Sequence, residues 1–404
     1  MSDAEPRLLR PDFVALLCVQ LATGFSFSSF LLLPKFMVEA LQATPTQVGL
    51  VSAGFGLCSV CSVPLVGRML DRGQSRAAIL LGSGLTALSA FSFVLVDEPS
   101  FLPFLLRFAQ GACVAMVVNG GTLLVSQRAP AHRLAEAVGL FAAANLVMSA
   151  VAPVAAELIA ERYGYTPSFV MAGVSALIAF ALALRLEPAR FSRPPVEASL
   201  RLMLAQPTYL RMVAVLGLIG MGYGAVFTFV APFALSLKLS EVRGFFVAFA
   251  LTAVVMRLFV LRALAPYSPR TIARVAAFWY GIAVLAVAAL AAGRLPLLGG
   301  FLGLAHGVFM PTLTALQVHE TPEHERGRML SLFNAAFGLG NAVVLGLGAC
   351  VERFGYRPVF ALTGALICSV PLMLDPARQR AASVEQAPLA GHGPLSTYSR
   401  SGER

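Results

Sequence analysis

Apolar residues fill the chain in long runs that are separated by short polar connectors. A helix needs about 20 mostly apolar residues to cross the hydrocarbon core of a bilayer, and each run reaches that length. The pattern predicts twelve membrane-spanning helices, near residues 12–38, 46–67, 76–96, 101–126, 135–158, 165–185, 210–236, 243–264, 271–292, 296–318, 328–350 and 357–374. The expected fold class is therefore an all-α, polytopic membrane protein.

The composition supports the same fold class. Hydrophobic residues make up 58% of the 404 residues and charged residues only 12%, with a mean hydropathy of +0.78. A soluble domain has about 25% charged residues, and much of the surface of any soluble fold must face water. A soluble globular protein is therefore excluded.

The net charge of +10 raises the alternative of a nucleic-acid partner. The basic residues lie in short connectors between the apolar runs, however, as topology-determining charges do, so no nucleic-acid binding is expected. Placing the N-terminus inside puts most Arg residues on the cytoplasmic side and predicts that both termini are cytoplasmic. The outer side then holds Lys35, Arg162, Lys238, Arg243, Arg294, Arg353 and Arg357.

Two stretches of the sequence repeat each other. "AERYGYTPSFVMAG" at 160–173 resembles "VERFGYRPVFALTG" at 351–364, and the two stretches lie six spans apart in the predicted order. Parallel halves of six spans are typical of transporters whose substrate site lies between the halves, near the membrane midplane. The chain is therefore divided into a cytoplasmic N-terminus (1–11), two six-helix bundles (12–185 and 210–375), a cytoplasmic linker (186–209) and a disordered tail (376–404).

Charges of both signs gather in "PLVGRMLDRGQSR" at 64–76, between the second and third predicted spans. Its Gly-x-x-x-Asp-Arg core, formed by Gly67, Asp71 and Arg72 and followed by Arg76, resembles the loop signature of the major facilitator superfamily. The resemblance covers residues 10–375 and is to the small-solute and drug-efflux-like branch, often labelled arabinose-efflux permeases. It implies two pseudo-symmetric six-helix bundles in the cytoplasmic (inner) membrane of a bacterium.

Asp71 lies at the C-terminal end of the second predicted span, where the helix dipole repels a carboxylate, so it needs a compensating partner. The resemblance implies that the partner is the start of the eleventh span, where Arg326 and Arg328 lie. This contact would close the cytoplasmic face when the protein is open outward. The alternative is that Asp71 pairs with Arg72 or Arg76 within the connector.

The fourth predicted span contains "RFAQG", with Arg107, Gln110 and Gly111, which resembles the R-x-x-x-G signature of the same family. A guanidinium inside a membrane helix is costly and is expected to face a cavity or a partner. Either Arg107 binds substrate or modulates a protonatable carboxylate, or it anchors the helix by reaching the outer surface. The fifth span carries Pro153 among small residues that allow close helix packing, although it lacks the glycines of the exporter signature.

Few acidic residues lie within the predicted spans. Glu157, near the outer end of the fifth, is either a buried coupling carboxylate or an interfacial residue beside Arg162. His306 in the tenth span is either a coupling residue, since histidine titrates near neutral pH, or a packing residue. The other polar candidates for the cavity are Gln20, Asn119, Asn145, Asn334 and Asn341. Lys35 and Arg257 add positive charge near or within the spans. A mildly cationic, amphipathic cavity of this kind would suit an anionic or neutral organic solute better than a cation.

These features predict a secondary transporter that works by alternating access and exports a small organic solute, with proton drive implied by the resemblance. The alternatives are an uptake symporter for a sugar or carboxylate and a non-transporting sensor or partner protein of the same fold. The chain has no G-x-x-x-x-G-K-[ST] motif, so ATP drive is not expected. A membrane enzyme is a further alternative, but no paired carboxylates, metal cluster or nucleophile–His arrangement lies at one depth, so no enzymatic activity is expected. No cofactor or metal is expected. The predicted partners are a small-molecule substrate and the lipid bilayer, and the chain is expected to be a monomer.

Overall fold

The structure is a computed structural model that describes residues 11–130, 133–187, 206–264, 266–321 and 326–374. Nearly all of the predicted N-terminal segment, most of the predicted linker and the predicted tail lie outside these ranges. The side chains of Arg326 and Arg328 also lie outside the described part, although the helix that begins at Arg326 is within it.

Twelve helical segments of the described chain are long and apolar enough to cross a membrane, which confirms the predicted all-α, twelve-span fold. Spans 1 to 12 consist, in order, of the α-helices Pro11–Ser29 with Leu33–Glu39, Pro45–Cys61 with Val63–Asp71, Ser75–Ser92, Phe101–Arg128, Leu134–Tyr163, Tyr165–Ala183, Pro207–Ser236, Arg243–Val255 with Leu261–Leu264, Pro269–Val287, Leu295–Glu320, Arg326–Ala342 with Val344–Phe354, and Tyr356–Cys368 with Val370–Met373. A 3₁₀ turn, Phe30–Leu32, interrupts span 1, and a π-helical turn, Met256–Val260, interrupts span 8.

Spans 1 to 6 pack into one bundle and spans 7 to 12 into a second. Aromatic rings fill the first bundle where spans 1, 3 and 6 meet: the Phe30 ring lies 4.8 Å from that of Phe93 and 5.7 Å from that of Phe169. In the second bundle the Phe233 ring, on span 7, stacks on Tyr356 of span 12 at 5.2 Å. Offset and tilted ring pairs at such distances stabilise helix contacts beyond the burial of area alone.

The sequence repeat has a matching backbone. Gly164 ends span 5 and Gly355 ends span 11, with φ and ψ of 83° and 174° in the first and 84° and 171° in the second. Only glycine adopts this region readily, because a Cβ would clash with the backbone. A glycine at the corresponding position of each half therefore makes the same tight turn into the next span.

The two bundles meet where span 2 packs against span 11 and span 5 against span 8. Small residues allow the close approach of spans 2 and 11: a Cβ added to Gly49 would lie 2.4 Å from the Val344 carbonyl oxygen, and one added to Gly56 would lie 2.8 Å from that of Gly338. Farther along span 2, no described atom lies within 4 Å of such a Cβ at Gly67. Spans 2 and 11 thus pack closely where Gly49 and Gly56 lie, whereas the helix Val63–Asp71 at the other end of span 2 packs against spans 3 and 4 of its own bundle.

Two names follow from this geometry. The closed end is the end that carries residues 40–44, 237–242 and 355, and the open end is the end that carries residues 72–74, 129–130 and 266–268.

Replacing Gly49 with alanine is expected to destabilise the protein by about 1–3 kcal/mol, because the added methyl group meets backbone that cannot move aside easily. The measurement is the midpoint of thermal unfolding of the purified protein in detergent. Gly139→Ala is the matched control, since nothing described lies within 4 Å of a Cβ there. Equal midpoints for the two variants would show that spans 2 and 11 do not pack as described.

Candidate functional site

A cavity of about 280 Å³ lies between the two bundles. Its walls come from spans 1, 2 and 4 of the first bundle and from spans 7, 10 and 11 of the second. At its level span 1 leaves α-helical geometry for the 3₁₀ turn Phe30–Leu32. The described lining residues are Phe27, Phe30, Leu31, Leu33, Pro34, Ser52, Phe55, Arg107, Tyr223, Phe227, Thr228, His306, Met310, Phe337 and Asn341.

Aromatic rings form much of this wall. Phe27 and Phe55 pair across spans 1 and 2 with their ring centroids 5.0 Å apart. On the second bundle Tyr223 stacks on Phe227 at 4.2 Å and lies 5.4 Å from the ring of Phe337. Both bundles therefore offer flat apolar surfaces to an organic molecule in the cavity.

Arg107 is the charged residue of the described lining. Its side chain is 8% exposed, and its Nη1 donates a hydrogen bond of 2.7 Å to Oε1 of Gln110, one turn along span 4. The guanidinium also lies over the rings of Phe55 and Phe30, at 4.9 and 5.6 Å, where the ring faces attract a cation. This position favours a role in the cavity over the alternative of an anchor at the outer surface.

His306 faces the cavity from span 10 and is 8% exposed. Its Nδ1 lies 3.5 Å from the hydroxyl oxygen of Tyr280, and its ring lies 5.5 Å from that of Tyr223. Packing against Tyr280 and Tyr223 and access to the cavity are therefore combined in this one side chain.

The predicted polar residues divide into two groups. Asn341 lines the cavity, next to Gly224 of span 7. The others are not among the described lining residues: Gln20 is buried, Asn145 lies against Gly24 of span 1, and Asn119 and Asn334 are exposed. Asn119 donates its side-chain amide to the Ala115 carbonyl of its own helix.

Glu157 lies at the closed end rather than in the cavity wall, and it is fully buried. Its Oε1 accepts a hydrogen bond of 2.6 Å from Nζ of Lys35, which is 3% exposed. The same carboxylate accepts the backbone N–H groups of Val242 and Arg243, at 2.9 and 2.6 Å, where span 8 begins. Lys35 also donates to the Ser240 carbonyl. This cluster, Lys35, Glu157, Ser240, Val242 and Arg243, is called the closing cluster.

The closing cluster joins the two bundles. Glu157 and Lys35 belong to the first, whereas residues 240–243 lead into the second. The free N–H groups at a helix N-terminus favour a negative charge, so Glu157 stabilises the start of span 8 as well as its ion pair. The interpretation of Glu157 as an interfacial residue beside Arg162 is wrong, because its charged partner is Lys35, while Arg162 lies over the ring of Tyr163.

Two more contacts link the bundles at the closed end. Arg243 forms an ion pair with Glu161 at 2.8 Å, and Thr46 donates a hydrogen bond to Glu352. The side chains of Arg243 and Glu161 are 26% and 38% exposed. Exposed pairs of this kind contribute about 0–1 kcal/mol, so the buried hydrogen bonds of Glu157 and Lys35 to residues 240–243 carry more of the closure.

The connector that resembles the family signature lies at the open end. Asp71 and Arg72 are exposed, and Asp71 has no ion pair with any described residue. Arg76 donates instead to the Leu184 carbonyl at the end of span 6, 2.7 Å away. The alternative of an Asp71 pair with Arg72 or Arg76 is therefore not seen in this state. The proposed contact with Arg326 and Arg328 involves side chains outside the described part.

The predicted packing residues occupy tight positions. A Cβ on Gly111 would lie 2.2 Å from the Phe55 carbonyl oxygen, so spans 2 and 4 touch there. Pro153 lies inside the continuous helix Leu134–Tyr163 and is buried.

The family model of the Major Facilitator Superfamily matches residues 15–299 and 246–399. The chain belongs to the major facilitator superfamily. It is thus a membrane-embedded transporter protein of that superfamily, as the connector at 64–76 and the twelve spans predict.

Relatives within the superfamily differ in what their names say they transport. The multidrug resistance protein MdtG of Dickeya zeae (strain Ech586) is 25% identical over 369 residues, which cover 85% of this chain and 89% of that protein. The probable nitrate/nitrite transporter NarK2 of Mycobacterium tuberculosis (strain CDC 1551 / Oshkosh) is 27% identical over 175 residues, 43% of each chain. The NarK2 match therefore spans less than half of that relative's length.

Solved structures of other transporters share the fold. A point mutant of the nucleoside transporter NupG gives a TM-score of 0.72 at 13% identity, covering 90% of this chain and 98% of that one. A bacterial homolog of the human lysosomal transporter Spinster, in an inward-facing and occupied conformation, gives 0.73 at 14% identity, covering 91% and 96%. At these identities the likeness concerns the fold.

The sequence reasoning noted Lys35 only as a positive charge near a span and missed its pairing with Glu157, and it also missed the aromatic wall. A lysine inside an apolar segment is rare enough to suggest a buried partner, and Glu157 lies near the same predicted end of another span. The aromatic residues gave no such signal, because phenylalanine in a membrane helix serves packing as often as ligand contact.

Proposed function

We propose that this transporter exports a small organic solute from the bacterial cytoplasm, in exchange for protons and by alternating access. The observation that carries the proposal is a cavity between the bundles that is shut at one end by the closing cluster. Hydrogen bonds and an ion pair between described residues of the two bundles lie at this end. A solute in the cavity would therefore enter and leave through the open end.

Transport requires a second state, in which the closing cluster is broken and the open end is shut. The two states must differ by only a few kcal/mol for both to be visited. The broken inter-bundle contacts would be offset by the contact of Asp71 with the start of span 11, in the same way that Glu157 now meets the start of span 8. The first bundle would thus supply both carboxylates, each to a helix N-terminus of the second bundle, at opposite ends of the molecule.

Export is supported by the MdtG relatives, which match most of this chain and are named multidrug resistance proteins. The proposed location is the inner membrane, with both termini in the cytoplasm, so that the open end loads solute from inside. Proton drive needs a group that gains and loses a proton within the membrane. Glu157 and His306 are the candidates from the described spans.

The test is differential accumulation in a bacterium that lacks its main exporters. Cells that express the protein receive a panel of labelled antibiotics and organic acids, with the proton gradient collapsed in half of the samples. The expected result is lower retention of at least one compound, which disappears when the gradient is collapsed. Ser52→Trp, which fills the cavity, serves as the inactive control. Gradient-dependent uptake would reverse the proposed direction, and retention equal to the control for every compound would contradict transport of organic solutes.

A further inference from the structure

We propose that the solute is an organic anion whose acidic group binds Arg107 and whose apolar body lies against the aromatic wall. This inference rests on the proposed function and adds the chemical class of the substrate. It starts from a positive charge that the described protein does not neutralise.

Arginine remains charged in proteins, and its guanidinium has donors only. Arg107 is more than nine-tenths buried, and its Nε has no hydrogen-bond partner among the described residues. The described lining residues include no aspartate or glutamate. The buried acid Glu157 is already committed to Lys35. A buried charge without a counter-charge is costly, so the cavity is electrostatically complementary to an anion and opposed to a cation.

Gln110 sets which edge of the guanidinium is available. Because arginine cannot accept a hydrogen bond, the amide oxygen of Gln110 must face Arg107, as the 2.7 Å contact from Nη1 has it. This bond occupies Nη1 of the guanidinium group and leaves Nε without a described partner. A carboxylate accepts two parallel hydrogen bonds from an arginine edge of this kind.

The rest of the cavity suits a carbon skeleton rather than a small inorganic anion. Phe27, Phe55, Phe227 and Phe337 offer ring faces, and Met310 adds a flexible apolar side chain. The volume of about 280 Å³ lies near the lower end of the range for ligand pockets, roughly 300–1,000 Å³. A monocarboxylate with an aromatic ring or a short aliphatic chain fits both the size and the walls.

The test compares probes that differ in charge and little in shape. Purified full-length protein is titrated calorimetrically with benzoate and benzamide, indole-3-acetate and indole-3-acetamide, and hexanoate and hexanamide, with benzylammonium and nitrate as further probes. At least one acid is expected to bind about tenfold or more tightly than its amide, since charge-assisted hydrogen bonds are about twice as strong as neutral ones. Arg107→Gln should remove this preference, and Arg107→Lys should keep part of it. Arg128→Gln, which removes the same charge from the far end of span 4, should leave it intact.

Three results of the titration would overturn the inference. In the first, the amide binds as tightly as the acid in every pair. In the second, the preference for the acid survives Arg107→Gln in protein whose melting temperature is unchanged, and in the third, nitrate is the one probe that binds. Binding is measured without a gradient, so its result is independent of the export assay. Export of neutral or cationic compounds without anion binding would refute the anion inference and leave the proposed function standing. Anion binding through Arg107 without gradient-dependent flux would refute the proposed function and leave the anion inference standing.

Discussion

Glu157→Ala is expected to open the closed end and to reduce transport by at least about tenfold. The substitution leaves the ammonium group of Lys35 buried without its counter-charge and leaves two N–H groups of span 8 without their acceptor. Removing one partner of a buried ion pair costs about 3–5 kcal/mol. Lys35 and Glu157 both belong to the first bundle, so the loss that is specific to this state is that of the two N–H bonds to Glu157. Hydrogen bonds to a charged group are worth about 1.5–3 kcal/mol each. Together they match the few kcal/mol that separate the states of an alternating-access cycle, so the state described here would lose most of its population.

The measurement uses a cysteine at Ser52, in the cavity wall, in protein that lacks its six native cysteines. A membrane-impermeant thiol reagent is added from the side of the closed end. Labelling should be slow with Glu157 present and fast in Glu157→Ala. Lys35→Met combined with Glu157→Leu should restore slow labelling only in part. Apolar side chains of similar volume replace the buried pair at little cost, but the N–H groups of Val242 and Arg243 still lack their acceptor. Arg243→Ala is the matched control, since it removes a partly exposed pair and keeps the backbone N–H group. Equal labelling rates in Glu157→Ala and the unmodified protein would refute the assigned role of the closing cluster.

Asp71→Asn is expected to shift the equilibrium in the opposite direction. In the state described here Asp71 is exposed and has no described ion pair, so its loss costs this state little. In the opposite state, the carboxylate would meet the N-terminus of span 11, and the neutral amide would lose most of that attraction. The protein should therefore fold and insert normally, remain in the state that is open at the Asp71 end, and transport several-fold more slowly.

Flux and surface expression are measured together for this variant. Asp97→Asn, which removes an exposed acid from the connector at the other end, should match the unmodified protein in both. Unchanged flux in Asp71→Asn would refute the gating role of Asp71. Loss of expression together with flux would mean that Asp71 acts in folding.

The sequence predicted the spans well because the length of an apolar run and the thickness of a bilayer determine them directly. It also selected Arg107, His306 and Asn341, three side chains that the structure brings to one cavity, since polar residues stand out in apolar helices. The sequence also identified Glu157 as a candidate buried acid, but it suggested Arg162 as the charged neighbour, whereas the partner is Lys35. Partner choice depends on how span 1 meets span 5 and how the two bundles meet, and no local pattern encodes either.

The helix interruptions were also beyond the sequence reasoning. Apolar runs continue through the 3₁₀ turn of span 1 and the π-helical turn of span 8, because hydropathy does not distinguish one helical geometry from another. Such turns occur often at functional sites, and the turn in span 1 does lie at the cavity.

The central claim, that the two ends open alternately, is tested most directly by distances between spin labels across the bundles. One pair, at Ala40 and Arg353, reports on the closed end, and another, at Gln74 and Ser268, reports on the open end; all four positions are exposed. The account predicts two distances for each pair, with Glu157→Gln lengthening the first pair and shortening the second in the same sample. A single distance for each pair that no variant changes, or two ends that lengthen together, would contradict alternating access about this cavity.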